Sequence, residues 1–340
     1  MLPKIPLDLK KIAKGDLDKE ILRAGILASS PKGGTHFMKK NTLEPVDRVE
    51  ITILMDNFID STLKSLRGVS RHRDRKVDEP LFAEHGLSLF LEILNKDVKS
   101  AFLLDTGSTT FGITYNAEKM GIDLKGLKGI FLSHNHKDHT SGLEAVLSIT
   151  GPIPVFIHPY GFYTKWVKSR ASRRDKERLA SLGAIWRAEE GPQLMASFLL
   201  TSGPIPRTTE FEEIIGISDR KVEKDGVMEE EVFLDDGALV LKIRRKGLVI
   251  VTGCAHSGII NTINHAQKLG GNEKIYAIIG GFHLTQASTD RIKKTIKILK
   301  EKEIDYLIPL HCTGFEAMAA IWQAFPRRFI IPSVGTRFEL

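Results

Sequence analysis

Residues Gly129–Leu143 read GIFLSHNHKDHTSGL, an apolar run that stops at Ser133 and passes straight into three histidines and an aspartate within six positions. The apolar part predicts a strand over Gly129–Ser133. His134, His136 and Asp138 are spaced by two, so an extended strand exit turns their side chains to one side. A turn at Asp138 then lets His139 swing in from a helix that begins in TSGLEAVLS, with Thr140 or Ser141 as its cap. Neutral imidazoles and a carboxylate are ligands of zinc and related divalent ions. Four such groups serve two metals, one held by His134 and His136 and the other by Asp138 and His139. The plain alternative is a solvated loop with incidental histidines. With 11 histidines in 340 residues, however, HxHxDH arises by chance in about one random chain in a thousand.

Three more histidines stand where apolar runs end. His256 lies in VTGCAHSG, His283 in IIGGFHLT and His311 in LIPLHCTG, each beside glycine or another small residue that lets a ligand approach. One strand-end histidine alone is as readily a structural residue. Three in the same context supply the remaining ligands that a two-metal centre needs from the second half of the chain. Cys254 is an alternative ligand, or an inert buried thiol. Cys312 points away from His311 if both sit on a strand. Asp105, ending the run AFLLD, is placed to accept a hydrogen bond from a ligand histidine and orient it. His36, His72, His158 and His265 have no such context and read as surface or packing residues.

The surrounding pattern is α/β. VEITILMDN (Val49–Asn57), HGLSLFLEIL (His85–Leu94) and AFLLDTGST (Ala101–Thr109) predict strands ahead of the histidine cluster. After it come a short strand in PVFIHP, a basic helical stretch around Lys165–Leu179 and an irregular segment to about Asp235. ALVLKI and LVIVTG, joined by RRKG, predict a hairpin. A helix over Ile259–Leu269, the strand IYAIIGG, a Lys-rich helix over Thr289–Glu303 and the strand YLIPL complete a layered arrangement. Residues 1–45, rich in lysine and carrying PKGGTHF, read as an N-terminal extension, and 46–340 as the domain.

Composition narrows the function classes. The 49 basic and 42 acidic residues give a charge of +7, moderate for this length and unlike a dedicated nucleic-acid binder. The basic crowding at Leu63–Lys76 and Lys165–Leu179 fits a loop and a solvated face, or a site for phosphate-bearing substrates. No apolar run is long enough to span a membrane and the first residues lack a signal-peptide core, so the expectation is a soluble, cytoplasmic protein. The 2 cysteines cannot form a disulfide framework, which suits a reducing compartment. A homo-oligomer is compatible with all of this.

Taken together, a strand ending in Asp105, then HxHxDH, then later strand-end ligands resemble the metallo-β-lactamase superfamily. More narrowly, MDNFID, EHGLSL, LDTGS, SHNHKDHTSGL, SGPIPRTTEFE, DDGALV, GCAHSGIINTI, GGFHL and HCTGFEA resemble, in order, the 7,8-dihydropterin-6-methyl-4-(β-D-ribofuranosyl)aminobenzene-5'-phosphate synthase family. The resemblance implies an αββα sandwich, two mixed β-sheets flanked by helices with a metal centre at one edge. It implies ligands from His134, His136, Asp138, His139 and His311, with His256 and His283 as this family's additions. Asn135 and Lys137 replace the family's usual residues between the ligands. No histidine stands in GPIPRTTEFE, where the broader superfamily often carries its third ligand, and Cys254 falls near the fourth-motif position. Which of Cys254, His256 and His283 binds metal therefore stays open.

The family's reaction joins a dihydropterin methyl diphosphate to a ribofuranosyl-aminobenzene phosphate and releases diphosphate. On this reading Asp138 is both ligand and proton acceptor, Arg207 with part of the basic segment after Lys165 clamps phosphate, and Asn57 and His85 read the pterin or sugar. Two divalent ions are implied, zinc first, with manganese or iron as alternatives. The rival is a binuclear-metal hydrolase of a phosphodiester or related ester, since a metal-held hydroxide is the superfamily's usual nucleophile. A metal-binding sensor without turnover lacks support because no ligand is missing. A nuclease lacks an aromatic platform in the basic stretches.

Overall fold

Ala238–Ile243 and Gly247–Thr252 pair antiparallel, from Ala238 opposite Thr252 to Ile243 opposite Gly247. Alternate side chains enter two different cores. Leu239, Leu241, Val249 and Val251 join the apolar residues of a facing sheet, whereas Val240, Leu248 and Ile250 join Ile259 and Ile263 beneath helices. With both faces covered, these strands are apolar throughout except at Lys242, which pairs with Glu273, and at the closing Thr252. The computed structural model describes residues 43–72, 80–214 and 220–340.

The second sheet, to which this hairpin belongs, runs in the order Gln193–Ala196, Leu199–Thr201, Ala238–Ile243, Gly247–Thr252, Ile275–Gly281, Tyr306–Leu310, with Pro45–Val46 also paired to Ala238–Ile243. Its last three strands are parallel. The first sheet runs Ala184–Ala188, Ile153–Ile157, Leu127–Phe131, Val98–Leu104, Ser88–Asn95, Arg48–Met55, Arg337–Glu339, Val69–Ser70. It is parallel from Ala184–Ala188 to Val98–Leu104 and antiparallel beyond. Helices Thr110–Lys119 and Leu143–Thr150 pack on the first sheet, and Ile259–Leu269, Thr289–Glu301 and Phe315–Ala324 on the second. The layers are helix, sheet, sheet, helix, the αββα sandwich that the resemblance implied. Parallel neighbours leave each sheet at the same edge, so Asp105 and His134 emerge side by side from the first sheet, and Cys254, His283 and His311 from the second.

Three local expectations are corrected. The basic stretch after Lys165 is not one helix: Thr164–Val167 and Arg170–Ser172 are strands, and only Lys176–Ser181 is helical, capped by Asp175. Trp166 and Val167 favour a pleated surface, and their strand pairs with Arg220–Lys224. The segment to Asp235 is likewise not irregular. It completes both main sheets and, with Val227–Glu230, forms a small antiparallel sheet beside the site. Third, neither Thr140 nor Ser141 caps the helix of Leu143–Thr150. Their hydroxyls donate back to His136 O and Lys137 O, closing a one-turn helix over Lys137–Thr140, and Gly142 precedes the next helix. Gly142 sits so close to the backbone of Thr106 that any Cβ would collide with its carbonyl oxygen. Residues 1–42 of the expected extension, including His36, and 73–76 of the first basic stretch lie outside the described residues.

Candidate metal centre

Asp105 is fully buried in a left-handed backbone conformation, φ 57°. Its Oδ1 accepts from Ser133 N at 2.8 Å and its Oδ2 from Ser133 Oγ at 2.6 Å. The same Oδ2 takes the Nδ1 hydrogen of His139 at 2.6 Å. Ser133 has spent its one hydroxyl hydrogen on Asp105, so its oxygen accepts from His134 Nδ1–H at 2.9 Å. On the second sheet, His311 Nδ1–H donates to Asn57 Oδ1 at 2.9 Å, an oxygen that also takes Gly86 N–H, while Asn57 Nδ2 donates to His311 O. Each of these histidines thus has its tautomer set from behind, with the Nε2 lone pair facing inward.

Two main donor groups result, bridged by Cys254, whose sulfur groups with His134 and His139. His134, His136 and His256 converge, with His134 Nε2 at 3.0 Å from His136 Nδ1 and 3.2 Å from His256 Nε2. Asp138, His139 and His311 form the other, with Asp138 Oδ2 at 3.5 and 3.3 Å from the two Nε2 atoms. His139 Nε2 and His311 Nε2 stand 3.2 Å apart. Two lone pairs at that distance repel unless a cation or proton lies between them, so the donors fit a divalent metal. The electrostatics agree. Burial, reinforced by neighbouring imidazoles, holds His134 and His256 well below the usual histidine range, which keeps them neutral, the form that can bind a metal. Burial lowers His136 too, against the opposing pull of Glu231. For His139, burial disfavours the charge, but Asp105 and Asp138 outweigh it and raise the group to about 9. Burial works against ionisation of Asp138 as well, yet His139 and His311 hold it well below the carboxylate range.

The other singled-out residues fall around these groups. His85 is exposed, its ring stacked on His311 at 5.2 Å and its Nε2 3.6 Å from Asp138. Cys254 Sγ lies 3.1 Å from His139 Nε2. His283 does not join either group and sits instead with Cys254 and Cys312. Arg207 donates to His256 O at 3.0 Å and Val232 O at 3.3 Å, bracing the turn that carries His256. His158 accepts from Tyr160 N, and His265 bonds to Ser202 O, packing roles as expected.

Several residues at the centre carry no signal in the sequence pattern. Ser133 links Asp105 to His134. Asp56 accepts His311 N–H at 2.9 Å, and burial raises it to about 6. The small sheet delivers Arg220, whose Nη1 lies 3.1 Å from His136 Nε2. It also leads into Glu231, paired with the buried Lys165 at 2.7 Å. Burial resists ionisation of Glu231, but His136 and Lys165 bring it down to about 2. Phe233 lies flat on His256, 4.2 Å between centroids and 5° between planes. The MDNFID stretch could have pointed to Asp56 because Asn57 is adjacent. Arg220, Glu231 and Phe233 lie in the segment read as irregular.

Comparison with known proteins agrees with this geometry. The metallo-β-lactamase superfamily profile matches residues 84–232. The 7,8-dihydropterin-6-methyl-4-(β-D-ribofuranosyl)-aminobenzene-5'-phosphate synthase of Methanocaldococcus jannaschii is 33% identical over 262 residues, 74% of this chain and 88% of that protein. An uncharacterised protein of the same organism is 31% identical over 271 residues, 77% of this chain and 96% of its own length. The crystal structure of a metal-dependent hydrolase of the β-lactamase superfamily has a TM-score of 0.69 at 25% identity, covering 86% of this chain and 99% of that one. Zinc-bound PqqB from Methylobacterium extorquens shares the fold, with a TM-score of 0.51 at 13% identity, covering 86% and 100%. Among the described residues no helix is long and apolar enough to cross a membrane. Fold, donor set and sequence identity converge: this chain is an enzyme of the metallo-β-lactamase superfamily and belongs to the family of the M. jannaschii 7,8-dihydropterin-6-methyl-4-(β-D-ribofuranosyl)-aminobenzene-5'-phosphate synthase.

Proposed function

We propose that the enzyme joins a dihydropterin methyl diphosphate to a ribofuranosyl-aminobenzene phosphate, releasing diphosphate, with two divalent metals, zinc first among them. The observation that carries this is the pair of adjoining donor groups, His134/His136/His256 and Asp138/His139/His311, in a chain 33% identical to the synthase named above. When bound, the metals would neutralise charge growing on the diphosphate leaving group. The chain's own residues do the rest. Asp138, ionised and partly open to solvent, accepts the proton of the aryl amine as its nitrogen bonds to the methylene carbon. Asn57 holds His311, and His85, exposed and stacked on it, faces the incoming ring. Arg220 at His136 offers a guanidinium to a phosphate. Arg207 has two donors committed to carbonyls, so in this proposal its main part is to hold His256.

The 25% identity to a metal-dependent hydrolase favours a second reading, hydrolysis of a phosphodiester or related ester at the same centre. One assay separates them: diphosphate release from the pterin methyl diphosphate, with and without the aryl amine. The synthase requires the amine and yields the coupled product. Amine-independent release with solvent oxygen in the product would instead establish the hydrolase.

A further inference from the structure

Nine side chains with metal-binding atoms crowd the strand ends, and their ligand atoms form four overlapping triads, one of which, His134, His139 and Cys254, shares all its members with the others. His134, His136 and His256 make one triad and Asp138, His139 and His311 another. What remains is Cys254, His283 and Cys312, whose ligand atoms also lie within 4.8 Å of one another. We propose that this third triad is a separate metal site for a thiophilic divalent cation of the zinc type, structural in role and distinct from the two groups used for catalysis.

The chemistry of the donors sets it apart. Two thiols and one imidazole offer two sulfurs and a nitrogen, the soft end of the ligand scale, whereas the neighbouring groups offer nitrogen and oxygen. In a tetrahedral zinc site with bonds of about 2.3 Å, sulfurs sit about 3.8 Å apart, so modest side-chain movement closes the triad onto an ion. Binding releases the two thiol protons to solvent. A divalent cation, two thiolates and a neutral imidazole then sum to zero charge, which suits a buried position.

The protein part is prepared for it. Cys254 and Cys312 are buried and unoxidised. His283 Nδ1 is buried with no hydrogen-bond partner, and His283 occupies a left-handed conformation, φ 46°, that is costly for a side chain of its size. Cys312 Sγ lies 3.5 Å from Cys254 O and also meets the side chains of Cys254 and His283. Gly281 is required beside it, because a Cβ there would stand 2.6 Å from that sulfur. The three residues come from turns that follow three neighbouring parallel strands, Gly247–Thr252, Ile275–Gly281 and Tyr306–Leu310. His256 lies on the first of these turns and His311 on the third. An ion bound by the triad would staple the turns together and fix both histidines.

Cobalt loading of the full chain tests this, with ions counted by native mass spectrometry and thiolate-to-cobalt charge transfer read in the near ultraviolet. The expected result is about three ions in the wild type, falling to about two in Cys312→Ser and in His283→Ala, with the charge-transfer band lost or strongly reduced in Cys312→Ser. About two ions in the wild type, or a band unchanged in a folded Cys312→Ser, would overturn the proposal and make Cys254 a ligand of the histidine groups instead. Should a variant fail to fold by circular dichroism, the wild-type ion count decides alone.

Discussion

At the level of single residues, the centre depends on side chains that never face a ligand. Asp105 accepts from Ser133 twice and from His139 once, so it sets two histidine tautomers at a distance, His139 directly and His134 through the Ser133 hydroxyl. Asp105→Asn replaces part of that acceptor with a donor and lets His139 turn its lone pair the wrong way. The variant is expected to fold, because the change is isosteric, but to bind metal about 10- to 100-fold more weakly, as read by competition with a chromophoric chelator. Unchanged affinity would mean that Asp105 only supports the strand end. The sequence made the contact of Asp105 with a cluster histidine legible, since a carboxylate closing a strand beside the cluster has few other partners. Ser133 was not legible, because a serine before a histidine is unremarkable until a third residue is known to face it. The same holds for Cys312. Read as part of a strand it points away from His311, but the chain turns into a short 3-10 helix at His311, and the sulfur comes round to Cys254.

Among the elements, those with long apolar runs were legible and the strands of the small sheet were not. Ala238–Ile243, Gly247–Thr252, Ile259–Leu269 and Ile275–Gly281 are each announced by a near-continuous or helically spaced apolar pattern, because the core dictates most positions. Val227–Glu230 is exposed throughout and Arg220–Lys224 buries chiefly Val222. The two strands pair with each other across the Asp225–Gly226 turn, a local hairpin signal that the sequence reading passed over, and Arg220–Lys224 pairs further with the distant Thr164–Val167, which no local pattern encodes. Arg220 and Glu231 therefore stayed hidden although they reach the centre. The contact between the two sheets has its own sequence trace in Gly253, where the strand Gly247–Thr252 ends: a Cβ there would collide with the Ser133 side chain. Gly253→Ala is expected to destabilise the fold by about 1–3 kcal/mol and to reduce metal binding more than that loss suggests, since it displaces the hydroxyl joining Asp105 to His134. Chemical denaturation and metal titration of the same preparation check this, and a stability loss with full metal affinity would contradict it.

For the whole molecule, metal and fold are linked through pH. In the metal-free protein His139 is raised to about 9, above its unfolded value of about 6.5. Its protonation thus stabilises the metal-free fold fully below about 6.5, and that contribution is lost as pH rises through about 9. Metal binding runs the opposite way, because the ion must displace the proton. Each unit of pH below about 9 weakens binding up to about tenfold, or about 1.4 kcal/mol. Both effects widen the difference between metal-loaded and chelated protein at higher pH. The gap in melting temperature is expected to be larger at pH 8 than at pH 6, with far-ultraviolet circular dichroism of the chelated form unchanged, since two extensive apolar cores remain. A gap that narrows as pH rises would show that His139 does not gate the ion.

The order of strands in the first sheet has a consequence for how the molecule is made. Arg337–Glu339 lies between Arg48–Met55 and Val69–Ser70, so these two early strands meet only through a strand that is synthesised much later. On the ribosome, Arg48–Met55 emerges early with one edge paired to Ser88–Asn95 and the other bare until residue 339 is available. Throughout that interval the nascent chain carries an open apolar edge that other chains can pair with. Its yield in a cell should therefore depend on translation speed and chaperone supply more than its final stability suggests.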